Sequence, residues 1–467
     1  MKGSLLRLDW ATSDQADVSR REFADGKPFP HMIIQDFVRD GKKLDQIQEE
    51  LMEETFYEKA NDLFSFHQSG DLAQCDSRAV KAFVKELYSP EFRAALTAVT
   101  GIELSDNIDL TSSLYRSTDV LLAHDDELLG RRVAFIMYLV PQDWSEEDGG
   151  SLDLFTVNAN GKPDRIDKRI TPCRNSFVFF EVSQVSFHQV AEVLSDNKHR
   201  LSIGGWFHGA PVKRPERCPA PARNPVLSSC VDSIACDVPL GSKLTDADLS
   251  YLSGFIAKPY LTSKTQHQVA KQFEDESMIE LSGFLSSQRL NAILRDLPAV
   301  SKDQWVTVGP CNERCFEAFS SYPTSNALTE TRAMMQSPAM IKLLQILTGN
   351  AVHITSTSSI IRRFAVGHYS LAFDNDPDAQ RISLDVCLCL SQGDEENESG
   401  AVIYVDEEAE EPLAVISPAR NALTVVLRAE PGTMRFVKYV NHEMAEPRVD
   451  IDLTCDIDDI VDIDDGQ

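Results

Sequence analysis

A mainly β protein with flanking helices, carrying two β domains in tandem, is the fold class that the sequence predicts. Three observations lead there. Residues 110–210 are rich in β-branched and aromatic residues in short runs, broken by the turn-forming segments DGGS, NANGKP and SDNK, which is how a many-stranded all-β unit reads. The stretches before it, 44–60 and 76–100, carry Leu, Glu, Gln, Lys and Ala at amphipathic spacing and predict helices. The second half of the chain repeats that order, and 467 residues suffice for two compact units, each larger than the usual domain of about 150 residues.

In chain order, the N-terminal apolar cluster is interrupted by Arg7 and Asp9 and is too brief for a secretory leader, so secretion is not expected. Helices then precede the first β region. Its longest apolar run, Val133 to Val140, has strand length, well short of the roughly 18 apolar residues of a membrane span. Residues 211–239 are rich in Pro and Ser and read as a connection. Helices follow across 246–283, 287–296 and 329–348, then strands across 352–454, and the last 18 residues hold eight Asp and no base. The expected division is 1–225 for the first domain, 226–240 for a linker, 241–455 for the second domain and 456–467 for an acidic tail.

Short segments echo between the halves. LAHDDE from Leu122 and RVAFIMYL from Arg132 line up with LAFDND from Leu371 and RISLDVCL from Arg381. GGSLDLF from Gly149 matches SGAVIYV from Ser399, and TPCRNSFVFF from Thr171 matches SPARNALTVV from Ser417. A repeat of this length predicts two related β domains.

Forty-five Lys and Arg against 73 Asp and Glu leave a net charge of −28. Such a field repels phosphate backbones and anionic membranes and attracts basic proteins, so neither direct nucleic-acid binding nor membrane association is expected. The ten Cys lack paired CxxC spacing and read as reduced thiols of an intracellular protein.

The chemistry-bearing constellation lies in the first half. His124 and Asp126, two apart on an extended segment, face one side and can converge on an ion, with His188, 64 residues on, as the third donor. Two imidazoles and one carboxylate leave three open octahedral positions, a set that suits non-heme Fe(II) working with dioxygen. Arg200, twelve residues after His188, would need an anion if buried, and its planar fork suits a carboxylate, which suggests a dicarboxylate cosubstrate. Tyr138, and less directly Tyr115, could donate a hydroxyl to the same carboxylate. Gly149 and Gly150 would allow close backbone approach, while core packing is the expectation for Trp206 and a solvated strand end for His208.

The runs LLAHDDELLGRRVAFIMYLVPQDW, DGGSLDLF, FVFFEVSQVSFHQVAEVL and HRLSIGGWFHG, with PFPHMIIQDFV and NDLFSFHQSGDL nearer the start, resemble the ribosomal prolyl hydroxylase family of Fe(II)- and 2-oxoglutarate-dependent oxygenases. The resemblance implies two tandem double-stranded β-helix (jelly-roll or cupin-like) domains, of which only the first is catalytic. It implies His124, Asp126 and His188 as iron ligands and Arg200 as the anchor of the 2-oxoglutarate distal carboxylate. It further implies dioxygen as co-reactant, ascorbate (vitamin C) as reductant, and C3 hydroxylation of a proline near the decoding centre in a basic small-subunit ribosomal protein. With that substrate come translation-termination factors as partners, a homodimer paired through N-terminal helices, and a cytoplasmic or nuclear location.

The echo supplies an internal check on the site. It sets Phe373 against His124, Asn375 against Asp126, Phe436 against His188 and Arg448 against Arg200, so the second copy lacks the ligands and is expected to be non-catalytic. Two competing readings keep less of this: the same cofactors with a lysyl or nucleobase substrate, or a non-enzymatic acidic binder of basic ribosomal or termination proteins.

Overall fold

The computed structural model describes residues 4–217, 224–320, 326–372, 381–393, 398–406 and 411–460. Two compact units divide the chain, 1–219 with 310–312, and 220–309 with 313–467. No helix among the described residues is long and apolar enough to cross a membrane.

The first unit holds β1 (His31–Ile34), β2 (Phe56–Ala60), β3 (Phe64–Ser69), β4 (Ile108–Tyr115), β5 (Val120–His124), β6 (Arg131–Tyr138), β7 (Leu152–Val157), β8 (Pro163–Ile170), β9 (Phe177–Glu181), β10 (His188–Val190) and β11 (Arg200–His208). They form one curled antiparallel sheet in the order β1-β9-β6-β11-β4-β3-β5-β10-β7-β8, with β2 added on β3. Period-two alternation sorts each strand between two layers. Leu201, Ile203 and Phe207 of β11 pack with Phe135, Met137, Phe177 and Phe179 against helices, whereas Tyr138, Val178 and Phe180 pack against Leu152 and Leu154 inside the curl.

Helices Arg78–Leu87 and Pro90–Thr100 cover the outer layer through Val80, Phe83, Phe92 and Leu96. The second is delimited by sequence chemistry. Ser89 accepts a hydrogen bond from the Phe92 amide, Pro90 occupies the first turn, and Gly101 ends it at φ 73°. The helix expected across 44–60 stops at Met52, and Phe56–Ala60 is a strand, mostly exposed, paired along its length with β3. Tertiary pairing overrides weak helix propensity there.

The second unit adds β12 (Asp232–Ala235), β13 (Met278–Ser282), β14 (Trp305–Val308), β15 (Arg314–Phe319), β16 (Val352–Phe364), β17 (Tyr369–Ser370), β18 (Ser383–Cys389), β19 (Val402–Val405), β20 (Ala414–Ile416), β21 (Ala422–Arg428), β22 (Met434–Val437) and β23 (Arg448–Ile460). Its order β13-β21-β18-β23-β16-β15 reproduces β1-β9-β6-β11-β4-β3, and its smaller sheet β20-β19-β22 reproduces β8-β7-β10. The repeat extends to single bonds. Asn175 and Asn421 both sit at φ 63°, and their side chains accept from the Val38 and Leu285 amides, each at 2.8 Å.

Three expectations need correction. Residues 226–240 are not a free linker: Pro225–Cys230 is a short helix and β12 pairs with β16, because Ser233 to Ala235 can complete that strand's ladder. The final strand runs through Asp456 to Ile460, past the expected start of the tail, and 461–467 lie outside the described residues. The echo is also offset across β18. The Asn175 amide bonds the Tyr138 carbonyl and the Asn421 amide bonds the Cys389 carbonyl, so Cys389, not Cys387, stands where Tyr138 does.

Candidate active site

Antiparallel pairing of β5 and β10 puts His124 directly opposite His188, with ring centroids 4.3 Å apart. Each Nδ1 donates to a main-chain carbonyl two residues back, His124 to Leu122 at 2.7 Å and His188 to Ser186 at 2.8 Å. That bond fixes the tautomer and leaves both Nε2 lone pairs free for an ion. Asp126 arrives differently from the expected strand alternation. The strand ends at His124, and Asp126 adopts a left-handed φ of 61°, which swings its carboxylate back toward both rings.

Asp126 Oδ1 is 3.4 Å from His124 Nε2 and Oδ2 is 3.3 Å from His188 Nε2, and one donor atom from each residue lies within 4.8 Å of the others. Bonds of about 2.1 Å at right angles place neighbouring donors about 3.0 Å apart, so small closures would bring all three onto one octahedral face. Burial by itself would push the Asp126 carboxyl up, but the imidazoles of His124 and His188, when a proton rather than an ion occupies Nε2, hold it well below the usual range by charge and hydrogen bond. Burial pushes His124 down, and Asp126 together with the Leu122 carbonyl and Asp125 more than reverses that. An ionised carboxylate between two imidazoles, with three positions left open, fits Fe(II).

Trp206 completes the surroundings of Asp126, a role the sequence reading missed. Its indole Nε1 donates to Asp126 Oδ2 at 3.0 Å, and the Arg131 guanidinium stacks 3.5 Å above the Trp206 ring. The signal was available in the period-two spacing: Arg200, Ser202, Gly204 and Trp206 occupy one face of β11, the face inside the curl. His208, at the end of that row, bonds Asp109 at 3.0 Å.

Arg200 is 1% exposed and, among the described residues, no carboxylate lies within ion-pair distance of it. Its Nε donates to the Gly150 carbonyl at 2.8 Å, and the guanidinium carbon lies 5.0 Å from the ring centres of both Tyr115 and Tyr138. The Tyr138 hydroxyl is 3.4 Å from one terminal nitrogen. Burial raises both phenols, so they remain neutral donors. A Cβ on Gly150, at φ 66°, would meet Arg200 Cδ at 2.9 Å, and one on Gly149 would meet the Glu192 carbonyl at 2.2 Å, so this pair allows the close approach expected of it. A buried guanidinium without an anion is costly, and a carboxylate taken up in its fork would offset that cost.

The second unit resolves the same problem internally. The register places Arg448 at the position of Arg200, and both donate to the second glycine-bearing turn, at Gly150 and Gly400. Asp450 replaces Ser202 and takes Arg448 at 2.9 Å and Arg362 at 2.8 Å. Asp452 replaces Gly204 and meets Arg435 at 2.6 Å. Arg435, not Phe436, is the counterpart of His188, since Leu154 faces His188 as Tyr404 faces Arg435; the segment between Asn421 and this strand is one residue longer than its equivalent after Asn175. Phe373 and Asn375 lie outside the described residues.

Comparison with known proteins agrees with this geometry. A family profile described as "2OG-Fe(II) oxygenase superfamily" matches residues 110–208, and one described as "Oxoglutarate and iron-dependent oxygenase degradation C-term" matches 247–464. The chain is 36% identical to the prolyl 3-hydroxylase OGFOD1 of Xenopus laevis, over 90% of this chain and 84% of that protein. It is 32% identical to the prolyl 3-hydroxylase OGFOD1 of Mus musculus, over 90% and 86%. Among solved structures, a Pseudomonas putida prolyl-4-hydroxylase aligns at 18% identity with a TM-score of 0.34, over 41% of this chain and 98% of that one. Fold and site define a 2-oxoglutarate- and Fe(II)-dependent dioxygenase that uses molecular oxygen. Within that class, the chain belongs to the prolyl 3-hydroxylase family.

Proposed function

We propose that this chain hydroxylates C3 of a prolyl residue near the decoding centre in a basic small-subunit ribosomal protein, with consequences for translation accuracy and termination. His124, Asp126 and His188 would hold Fe(II), and Arg200 would grip the distal carboxylate of 2-oxoglutarate with help from Tyr138 and Tyr115. The observation that carries the reading is Arg200, buried with no carboxylate among the described residues within ion-pair distance, beside a His-Asp-His cluster. When bound, the iron supplies the oxidative chemistry, coupling decarboxylation of the 2-oxo acid to oxygen insertion at a C–H bond.

The protein's share is placement. The Nδ1 bonds orient both imidazoles, Trp206 holds the Asp126 carboxylate, and Val140, Trp144 and Val193 pack with Tyr115 to line the Arg200 side with apolar surface. Relatives named prolyl 3-hydroxylase support proline as the target. The charge of −28 supports a basic partner. Translation-termination factors as further partners and a cytoplasmic or nuclear location belong to the same proposal. Ascorbate would serve as the reductant that keeps iron in the Fe(II) state.

Mass spectrometry of a proline-containing peptide from the decoding-centre loop tests this, after incubation with the full chain, Fe(II), 2-oxoglutarate and oxygen, with His124→Ala alongside. One added oxygen on proline, absent in the variant, supports the reading. A relative from Ostreococcus tauri, 27% identical, is named a prolyl 3,4-dihydroxylase, so two added oxygens would place this chain with that variant chemistry. Succinate without peptide oxidation would overturn the substrate assignment and leave the oxygenase.

A further inference from the structure

The loop between β5 and β6 carries an apolar tip close to the iron-binding residues. Leu128 and Leu129 are 61% and 85% exposed, two and three residues beyond Asp126. With Cα atoms about 3.8 Å apart along the chain, both lie within about 12 Å of the Asp126 Cα. On the turn that leads into β10, Val185 is 42% exposed, three residues before His188. The two loops are joined, since Ser186 Oγ donates to the Asp125 carbonyl at 3.1 Å.

The base of this tip is tied down and electrically closed. Arg217 meets Asp125 at 2.7 Å and Glu127 at 3.1 Å, and Arg214 meets Glu127 at 3.3 Å. The Arg131 amide donates to the Leu128 carbonyl at 3.1 Å, and Gly130 takes φ 90°, so the leucines are held on a turn. Asp125 and Glu127 are thus paired by the chain's own arginines. What the tip presents to solvent is apolar, beside a site whose substrate is a polypeptide.

We propose that Leu128 and Leu129, with Val185 on the adjoining turn, form an apolar lip that receives an apolar side chain of the substrate polypeptide two to four residues from the hydroxylated proline. This inference rests on the prolyl hydroxylase reading. An extended peptide advances about 3.3 Å per residue, so the bound of about 12 Å between the tip and Asp126 limits the offset to about four residues. The overall negative charge draws a basic chain in from a distance, and the uncharged lip sets its register.

The test uses the full metal-loaded chain, the decoding-centre peptide, Leu128→Ser with Leu129→Ser, and a peptide whose apolar residues near the proline are changed to Ser. Losing a buried leucine contact amounts to roughly tenfold in affinity. The double variant is expected to raise KM for the wild-type peptide at least that much with kcat little changed, and the altered peptide to lose no more in the variant than it has lost already. An unchanged thermal midpoint shows that the fold is intact. Equal KM for wild type and variant overturns the lip while hydroxylation by the wild type keeps the prolyl reading. A dimer in light scattering that dissociates in the variant, at unchanged KM, assigns the leucines to a second copy and also overturns it. Absence of hydroxylation by the wild type removes the reading and the lip together.

Discussion

Arg448 bonds Asp450 at 2.9 Å at the register position where Arg200 finds only Ser202. One fold thus carries two answers to a buried guanidinium. The second unit answers with its own carboxylates, and the first leaves the fork open for an incoming one.

Two variants separate these answers. Asp450→Asn leaves Arg448 and Arg362 without the carboxylate they share, and breaking a buried pair of this kind costs about 3–5 kcal/mol. Denaturant unfolding of the full chain is expected to show the second unit destabilised by that order while 2-oxoglutarate binding to the first unit persists. Retention of wild-type stability would mean that Arg448 does not depend on Asp450.

Arg200→Met should act in the opposite sense on the empty protein. It removes an unpaired buried charge and keeps the apolar stem, so a stabilisation of about 1–4 kcal/mol is expected without metal and cosubstrate. The same variant is expected to lose 2-oxoglutarate binding. Calorimetric scans with and without 2-oxoglutarate read both effects, and a destabilised empty variant would contradict the assignment of Arg200 as an open anion site.

Trp206→Phe keeps a large ring on β11 and deletes the hydrogen bond to Asp126. Groups that orient metal ligands are typically worth about 10–100-fold in affinity, so titration with Mn(II) should show a weakening in that range. Unchanged Mn(II) affinity would reduce Trp206 to packing.

A pH effect is expected at a histidine outside the ligand set. His31 is held below its ordinary range by burial, opposed by its bond to the Phe29 carbonyl and reinforced by the Lys168 ammonium 2.8 Å from Nε2. The folded state therefore binds its proton less readily than the unfolded chain does. The stability contributed is complete above the unfolded value of about 6.5 and is lost as pH falls toward the lower folded value. Thermal midpoints between about pH 7 and about pH 5 should fall more steeply for the wild type than for His31→Gln. Parallel profiles would exclude His31 as the source.

Much of this architecture was legible in composition and spacing. Short β-branched and aromatic runs broken by turn segments marked the β region that holds His188 and Arg200, and GGSLDLF and TPCRN marked the repeat that strand order and the Asn175 and Asn421 bonds reproduce. Strands β1 to β3 were not legible: HMII is short and pairs only with β9, far along the chain, and the exposed polar run FYEKA forms a hairpin with β3 that is held in the sheet through β4 and β5. The convergence of Asp126 was read correctly for an incomplete reason, since a left-handed residue rather than strand pleat aims it. Phe436 and Cys387 were set against His188 and Tyr138 in place of Arg435 and Cys389 because turn lengths differ between the copies, which only pairing register reveals.

The central claim is that one unit, and only that one, holds iron and the 2-oxo acid. A crystal structure of the full chain with Mn(II) and 2-oxoglutarate, using the anomalous signal of manganese, tests it most directly. The account requires one peak bonded to His124, Asp126 and His188, with a carboxylate in the fork of Arg200. A peak beside Arg435 and Asp452 in the second unit, or a 2-oxo acid bound away from Arg200, would contradict it.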